Sequence, residues 1–439
     1  MLAGLLVSLT LVYLLCPKCP TLTAARAVAL TTVAMGFGGS MTYGQTLGLT
    51  QDPDLVGNWA ALRWGLLGTT IKGAIWIGLA GVFLGMALSG VRHTWKHLFA
   101  LMALMLAGHY LGVWLFNSPF DPANRRLPAL YFSASWDWTP EKEFRPRYEL
   151  WGGLLVAWVV AVCYCAFYRK DTLARNMALW GFLGGGLGFT GGQCLQAYHA
   201  WNLEWFREGF LSAVDPKLNW WNNMETTFGA IMGATLGLGL WLNRDRIEPD
   251  PEPYSHNLPL SVEWILLGIH LPLLIAVEFL SVDAVDALYD LGLILGFIPI
   301  VAIAGGRWWP YLQMFPLFLL PMAGKTVQQL AYEESPPPLP AEAVWVLYFV
   351  VPITLAAILA VVFAMRAKGD LEKKDFVRRS LLFSVWLYFL LNYAFFRFPF
   401  PSFSVEEWTG RTFNGLVFTV MALGLTLMAL LCDQPEEKA

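Results

Sequence analysis

Lys72 is the residue in this chain whose position most demands chemistry. It stands in the apolar, glycine-rich run RWGLLGTTIKGAIWIG that starts at Arg63. Nine residues of helix correspond to roughly 13 Å at a 1.5 Å rise, which is near mid-membrane if that run crosses a bilayer. An ionisable side chain there costs about 2.5–3.5 kcal/mol on insertion scales. It must therefore pair with an acid or face water. A structural ion pair and a functional one are both open at this point.

Gln45 and Gln193 form the second group. They close two similar stretches, GFGGSMTYGQ (36–45) and GGGLGFTGGQ (184–193), which share the pattern G-x-G-x-x-x-T-x-G-Q. A carboxamide near the end of a membrane helix needs partners or water. Arg63 and Glu225 open the helices that follow the two stretches, and an Arg63–Glu225 pair is one expectation. Glu225 also suits the positive end of a helix. Gln45, Arg63, Lys72, Gln193 and Glu225 are thus the expected substrate-binding set.

His109 and His270 lie within apolar runs, where packing and proton transfer are both possible roles. His199, with Asp137, Glu149 and Glu225, would provide acid–base groups for chemistry on an outer face. A third acidic group is Glu278, Asp283, Asp286 and Asp290. If a helix begins near Asp283, the three aspartates at i, i+3 and i+7 share a face. They would suit a cation, a sugar hydroxyl or Lys72, and equally a solvated helix start. Lys325 and Arg411 complete the expected outer-face charges.

The elements that must position these residues are membrane helices. The 439-residue chain is 56% hydrophobic and 14% charged, against about 25% charged in soluble domains. Its 21 Trp and 15 Tyr fit two interfacial aromatic belts. Hydropathy predicts an all-α, polytopic membrane protein with about thirteen spans, at about 2–16, 25–48, 63–90, 98–116, 149–168, 176–198 and 224–243 in the first half. The second half gives about 260–281, 287–305, 309–325, 342–366, 379–397 and 411–432.

Lys and Arg concentrate in the loops at 17–26, 92–96, 169–175, 244–246, 307 and 366–379. These fall on one side if thirteen spans alternate, which predicts an outside N-terminus, a cytoplasmic C-terminus and, by default, a bacterial inner membrane. The N-terminus lacks the basic region of a secretory signal, so it reads as a retained first helix. The opposite loops are longer, more aromatic and more acidic. The polar stretch 244–259 divides an N-terminal half (1–243) from a C-terminal half (260–439).

Within the first half, a glycine-rich helix going out, a loop containing Asn-Trp (Asn58-Trp59, Asn219-Trp220) and a glycine-rich helix coming back occur twice, at 25–90 and 176–243. This predicts an internal duplication, and repeats of this kind occur in transporters with the site at their interface. Close helix packing explains the same glycines without any site. The run ELWGGLLVAW from Glu149, the basic turn Arg169-Lys170 and GFLGGGLGFTGGQ from Gly181 loosely resemble the glycine-rich helices of prolipoprotein diacylglyceryl transferase. The resemblance covers a small part of the chain, and the His-Gly-Gly signature of that family is absent, so it does not imply membership.

Several classes are disfavoured. The net charge of −3 gives no attraction for nucleic acid. Nucleotide-binding glycine loops, H-E-x-x-H and G-x-S-x-G are absent from the sequence. Cys16 and Cys19 have C-x-x-C spacing without a second pair at zinc-site distance, so neither a metal nor another cofactor is expected. Three readings remain open: a secondary transporter for a polar solute, with its site between the repeated helix pairs; a membrane-embedded transferase acting on a lipid-linked or carbohydrate substrate at the outer face; and a structural subunit. In each the lipid bilayer is a partner.

Overall fold

In a computed structural model, the chain is described at residues 1–16, 19–133, 138, 146–248, 260–280, 282–290, 294, 319–320, 322–333, 335–337, 339–369, 373–395, 404, 406, 408 and 410–431. All of its regular structure there is helical, apart from an isolated antiparallel bridge between Asp121 and Arg126. Five helices are long and apolar enough to cross a membrane: Trp59–Leu88, Lys96–Phe116, Trp151–Arg169, Ala341–Val362 and Thr412–Leu431. Thirteen spans were expected. Most of the expected segments at 287–305 and 309–325 lies outside the described residues, as does 249–259 of the linker.

The chain divides into two compact units. One contains Met1–Val33, Arg92–Trp95 and Ile247–Ala439, and the other contains Ala34–Val91 and Lys96–Arg246. The break at Arg246 matches the start of the expected linker, but Met1–Val33 groups with the C-terminal part. In that first unit, helix α1 (Leu2–Leu15) packs on the helix Lys373–Phe395, and Tyr13 donates to the Ala429 carbonyl at 3.0 Å. Trp386 Nε1 donates to Thr426 Oγ1 at 3.0 Å. Trp345 Nε1 reaches the Tyr332 hydroxyl at the same distance, beside the π-helical turn Gln328–Glu333. A π turn leaves its extra residue out of the regular ladder.

The second unit carries most of the expected site residues. Helix α2 (Thr21–Gly38) enters it from Ala34 onward, and the short α3 (Gly44–Gln51) follows. Next come α4 (Trp59–Leu88), α5 (Trp95–Phe116), α6 (Trp151–Cys163, continued by π-helical Tyr164–Arg169), α7 (Thr172–Trp201) and α10 (Trp220–Leu242). Two single-turn helices, α8 (Leu203–Phe206) and α9 (Leu211–Val214), connect α7 to α10.

The helix starts are legible in residue types. Asn58 caps α4 by accepting from the Ala60 and Ala61 amides at 3.1 Å each. Asn219 caps α10 in the same way through Trp221 and Asn222. Both Asn-Trp pairs are therefore helix starts, in which a short polar side chain satisfies amides that the first turn leaves unpaired. Asp171 caps α7 through the Ala174 amide at 2.8 Å and accepts from Ser89 Oγ at 2.7 Å. It is fully buried.

Glycine fixes the distances in this unit. α4 and α7 run antiparallel with backbone on backbone: Gly73 faces Gly185, the Ile77 carbonyl faces Gly181, Gly81 faces Met177 and Gly85 faces Ala174. α7 turns another edge to α10, where Gly184 meets Thr235 and Gly192 meets Met224. α5 meets α6 through Gly112 and Gly152. Lipid tails are as apolar as side chains, so such helices associate by close packing, and small residues permit it.

The two glycine stretches diverge in structure. Gly184–Gln193 lies inside the continuous α7, whereas Gly36–Gln45 contains the end of α2, an interruption and the first turn of α3. The single helix expected over 25–48 is thus replaced by two. At the break, Gly38 and Gly39 press against Trp76, whose indole donates to the Met35 carbonyl at 2.8 Å. The sequence echo is not reproduced as a common backbone path.

Gly185→Ala is expected to destabilise the protein by about 1–3 kcal/mol, because its Cβ would enter the Gly73 backbone and the two helices must part. Gly233→Ala, where a Cβ meets open space, is expected to be neutral or slightly stabilising. Thermal unfolding of the two variants in detergent checks the contrast.

Candidate functional site

Lys72 is near the middle of α4 and is 1% exposed. Its Nζ makes three contacts: Glu149 Oε1 at 2.6 Å, the Thr42 carbonyl at 2.7 Å and Thr46 Oγ1 at 2.8 Å. All three donors of an ammonium are thereby used. The Thr42 carbonyl is available because the chain leaves α2 before it and enters α3 after it. The first bond of α3 runs from the Leu47 amide to the Tyr43 carbonyl. The interruption of the helix thus supplies one of the lysine's ligands.

Glu149 is equally buried. Its Oε1 accepts also from Ser133 Oγ at 2.9 Å, and its Oε2 from the Phe132 amide at 3.1 Å. Two pieces of one connecting segment therefore close over the pair, residues 131–133 and residues 146–149. They are fastened to each other where Tyr131 donates to the Arg147 carbonyl at 3.0 Å. Burial pushes the Tyr131 phenol up to about 12, with the Glu149 carboxylate adding to the rise and the hydrogen bonds to Ser133 and Arg147 opposing it. It stays a donor at any physiological pH. Trp64 Nε1 donates to the Tyr131 carbonyl at 2.9 Å, which ties the segment to α4.

Gln45 works on the same segment. Its Oε1 accepts from the Arg147 amide at 3.2 Å, two residues before Glu149. It belongs to the surroundings of the pair and does not touch Lys72. Gln193 is fully buried on α7, and its Nε2 donates to Thr50 Oγ1 through a short contact. Thr42, Thr46 and Thr50 follow one another at four-residue spacing. Polar contacts thus cluster around α3: the buried Lys72–Glu149 group at Thr42 and Thr46, Gln193 at Thr50, and the more exposed Gln45 at Arg147. Gly65 and Gly68 of α4 seal this cluster, the first against Thr46 and Thr50, the second against Thr46 and Phe132.

Glu225 lies within electrostatic reach of Tyr43 at the start of α3, and the other expected residues stand elsewhere. Arg63 and Glu225 are exposed and do not pair with each other. Arg63 opens outward from the second turn of α4, one residue before Trp64, which turns inward to Tyr131. His109 is buried on α5 against Gly153 of α6, and its Nδ1 has no hydrogen-bond partner. His199 stacks on Trp220 with centroids 4.1 Å apart, and its Nε2 lies 2.9 Å from Asp215 Oδ1. That carboxylate oxygen also accepts from Trp220 Nε1 at 2.8 Å, so this cluster ties the α7–α10 connection together.

His270 is buried in the first unit on the helix α11 (Leu260–Phe279). The helix α12 (Asp283–Asp290) begins at Asp283, so the three aspartates fall on one face as their spacing requires. Asp283 is exposed and Asp286 half-buried. The side chains of Glu278, Asp290 and Arg411 lie outside the described residues, as does all of Asp137, and Lys325 is exposed. Among the described residues, no three His, Cys, Asp or Glu side chains converge as metal ligands would. The chain matches no family model, no curated protein and no solved structure.

Sequence reasoning placed Glu149 only among outer-face acids and passed over Ser133, Gln196 and the α3 threonines. The threonines carried a signal, since TYGQTLGLT repeats Thr every four residues. The pairing of Glu149 with Lys72 carried none, because 77 residues separate them.

Lys72→Met alone, which leaves the Glu149 charge buried, is expected to cost about 3–5 kcal/mol. Glu149→Gln alone is expected to cost a similar amount. The double variant Lys72→Met/Glu149→Gln is expected to recover a large part of the loss, because no charge is stranded. A double-mutant cycle on unfolding in detergent measures the coupling.

Proposed function

We propose that this chain is a secondary transporter for a polar solute, with Lys72 and Glu149 as the ionic element whose opening and closing accompanies passage. The observation that carries the reading is a fully buried Lys–Glu pair in the middle of an apolar 30-residue helix, held by the free carbonyl of an interrupted neighbour. Ionisable residues inside membrane spans are rare and concentrate on substrate and ion pathways. Interrupted helices with unsatisfied carbonyls are a recurrent way for transporters to build such sites. The full architecture in this reading has thirteen spans, an outside N-terminus and a cytoplasmic C-terminus in a bacterial inner membrane, and the glycine-rich hairpins derive from a duplication.

The proposed cycle turns on one proton. Protonation of Glu149 neutralises the carboxylate and leaves the Lys72 ammonium with a carbonyl and a hydroxyl only. An ammonium so placed must find another anion or meet water, because a lone charge at that depth is costly. Residues 131–133 and 146–149 are tied to α4 by that carboxylate and by the Trp64 bond to the Tyr131 carbonyl. Loss of the ionic tie weakens their hold on the polar groups of α3.

A membrane-embedded transferase at the outer face is the second reading. It is favoured by the assembly of Glu149, Ser133 and Tyr131 on one connecting segment, where Ser133 donates to the Glu149 carboxylate. In that case Glu149 would act as the acid–base group.

Two-sided cysteine labelling separates the readings. In a variant without native cysteines, single cysteines are placed at Gln45, at Gln193 and at Lys72, the last combined with Glu149→Gln to avoid a stranded charge. Sealed, oriented vesicles are then treated with an impermeant maleimide from each face. A transporter is expected to label position 72 from both faces. Labelling from the outer face alone would replace it with the transferase, and no labelling at any of the three would leave the network a structural core.

A further inference from the structure

The polar network leaves two buried acceptors facing nothing. The Thr50 hydroxyl donates to the Leu47 carbonyl at 2.8 Å, so towards Gln193 it can only accept. The Gln193 group that meets it is therefore the amide nitrogen, and its oxygen is fixed on the other side. That Oε1 has no hydrogen-bond partner and the residue is fully buried. Three residues further on, Gln196 is 3% exposed, and its Oε1 has no partner either.

Both oxygens belong to the same region of α7. Residues three apart on a helix are surface neighbours, about 5–6 Å between Cβ atoms. Gln196 follows Gly185 by about three turns, which returns it to the edge that Gly185 presses on α4. Gln193 lies beside it, towards α3. One unpaired acceptor among well-packed helices can be an accident of a side chain. Two buried carboxamide oxygens three residues apart on one helix, one of them held in orientation by a hydrogen-bond chain, leave acceptor capacity that a positive or hydrogen-donating occupant would fill.

We propose that Gln193 and Gln196 bind a hard monovalent cation of the sodium class. Neutral carboxamide and carbonyl oxygens suit hard cations, whereas transition metals favour the imidazole and thiolate groups that are missing here. Calcium and magnesium draw on carboxylates, and neither glutamine brings one. The acid nearest in sequence to Thr50 is Asp52 at the end of α3. Its carboxylate folds back against Gly48 and is not part of the proposed site.

The site stands on the glutamine network and does not require the transporter reading. Together with that reading it would give the second ion of a coupled cycle, separate from the Lys72–Glu149 pair. Binding to the protein is therefore tested apart from transport, on the full chain in detergent. Thermal unfolding is followed in sodium, potassium and choline chloride at matched ionic strength, and binding of radioactive sodium is measured directly on the wild-type protein.

The expected result is a saturable rise in melting temperature with sodium, absent with choline, together with stoichiometric sodium binding. Gln196→Met, which removes the unpaired oxygen while keeping the shape, is expected to abolish both effects and leave the choline melting temperature unchanged or higher. Equal melting temperatures in sodium and choline with no bound sodium would overturn the proposal and assign the two oxygens to a trapped water only. Retention of the sodium effect in Gln196→Met would also overturn it. If sodium binds while position 72 labels from one face alone, the cation site stands and the transporter reading falls.

Discussion

The structure of the second unit depends on satisfying one ammonium group. Lys72 sits where water cannot reach it, so its three N–H donors must all find oxygen within the protein. Each of the three oxygens imposes a different demand on the chain. Thr42 can offer its carbonyl only if the helix is interrupted there. Thr46 can offer its hydroxyl only if α3 restarts at once and lies against α4. Glu149 can offer its carboxylate only if a connecting segment more than thirty residues long, 117 to 150, returns to the start of α6 and lays its acid inward. A helix break, a short helix and a long connection thus each supply one partner of one buried charge. A buried pair of this kind is weak evidence for stability, since an apolar pair of similar volume often serves better.

Glycine makes the arrangement possible by setting the distances. Gly65 and Gly68 let α3 approach α4 closely enough for the threonine hydroxyls to reach inward. Gly73, one residue after Lys72, brings α7 against α4 with the Gly185 backbone in contact. A side chain at either place would separate the helices by more than the tolerance of a hydrogen bond, and the network would admit water or fail to form. The glycines serve packing, as their spacing predicted, and in this unit packing is also what keeps the charged pair dry.

Much of this was legible in the sequence, and the remainder has physical reasons for being hidden. The helical class and the conspicuous Lys72 follow from local residue types, whereas Asn58-Trp59 and Asn219-Trp220 were expected in loops before helices opening at Arg63 and Glu225 and instead start those helices. The neighbourhood of Gln45 and Gln193 was marked by their shared motif. The partner of Lys72 was out of reach because nothing local distinguishes Glu149 from the other outer acids; only the return of a long connection brings it in. The expected Arg63–Glu225 pair rested on equivalence between two sequence stretches. Such equivalence does not put side chains in contact when each lies in the second turn of its own helix and is exposed.

The two glycine stretches diverge at matching threonines. Thr42 and Thr190 occupy the same place in the shared pattern. Thr190 remains helical and offers its hydroxyl to Thr70 Oγ1 at 2.6 Å, and because Thr70 already donates to the Leu66 carbonyl, Thr190 is the donor. Thr42 offers its carbonyl to Lys72, two residues beyond Thr70 on the same helix. Both threonines therefore address one short stretch of α4, one by side chain and one by main chain. A neutral hydroxyl can be satisfied by a helix that stays intact. An ammonium needs stronger acceptors, and a backbone carbonyl becomes available only when its own helical bond is given up. The lost bond is offset by a charge-assisted one, roughly twice as strong as its neutral counterpart. The second helix pair, with no lysine at the corresponding turn, has no such gain to set against a break, and its helix runs on.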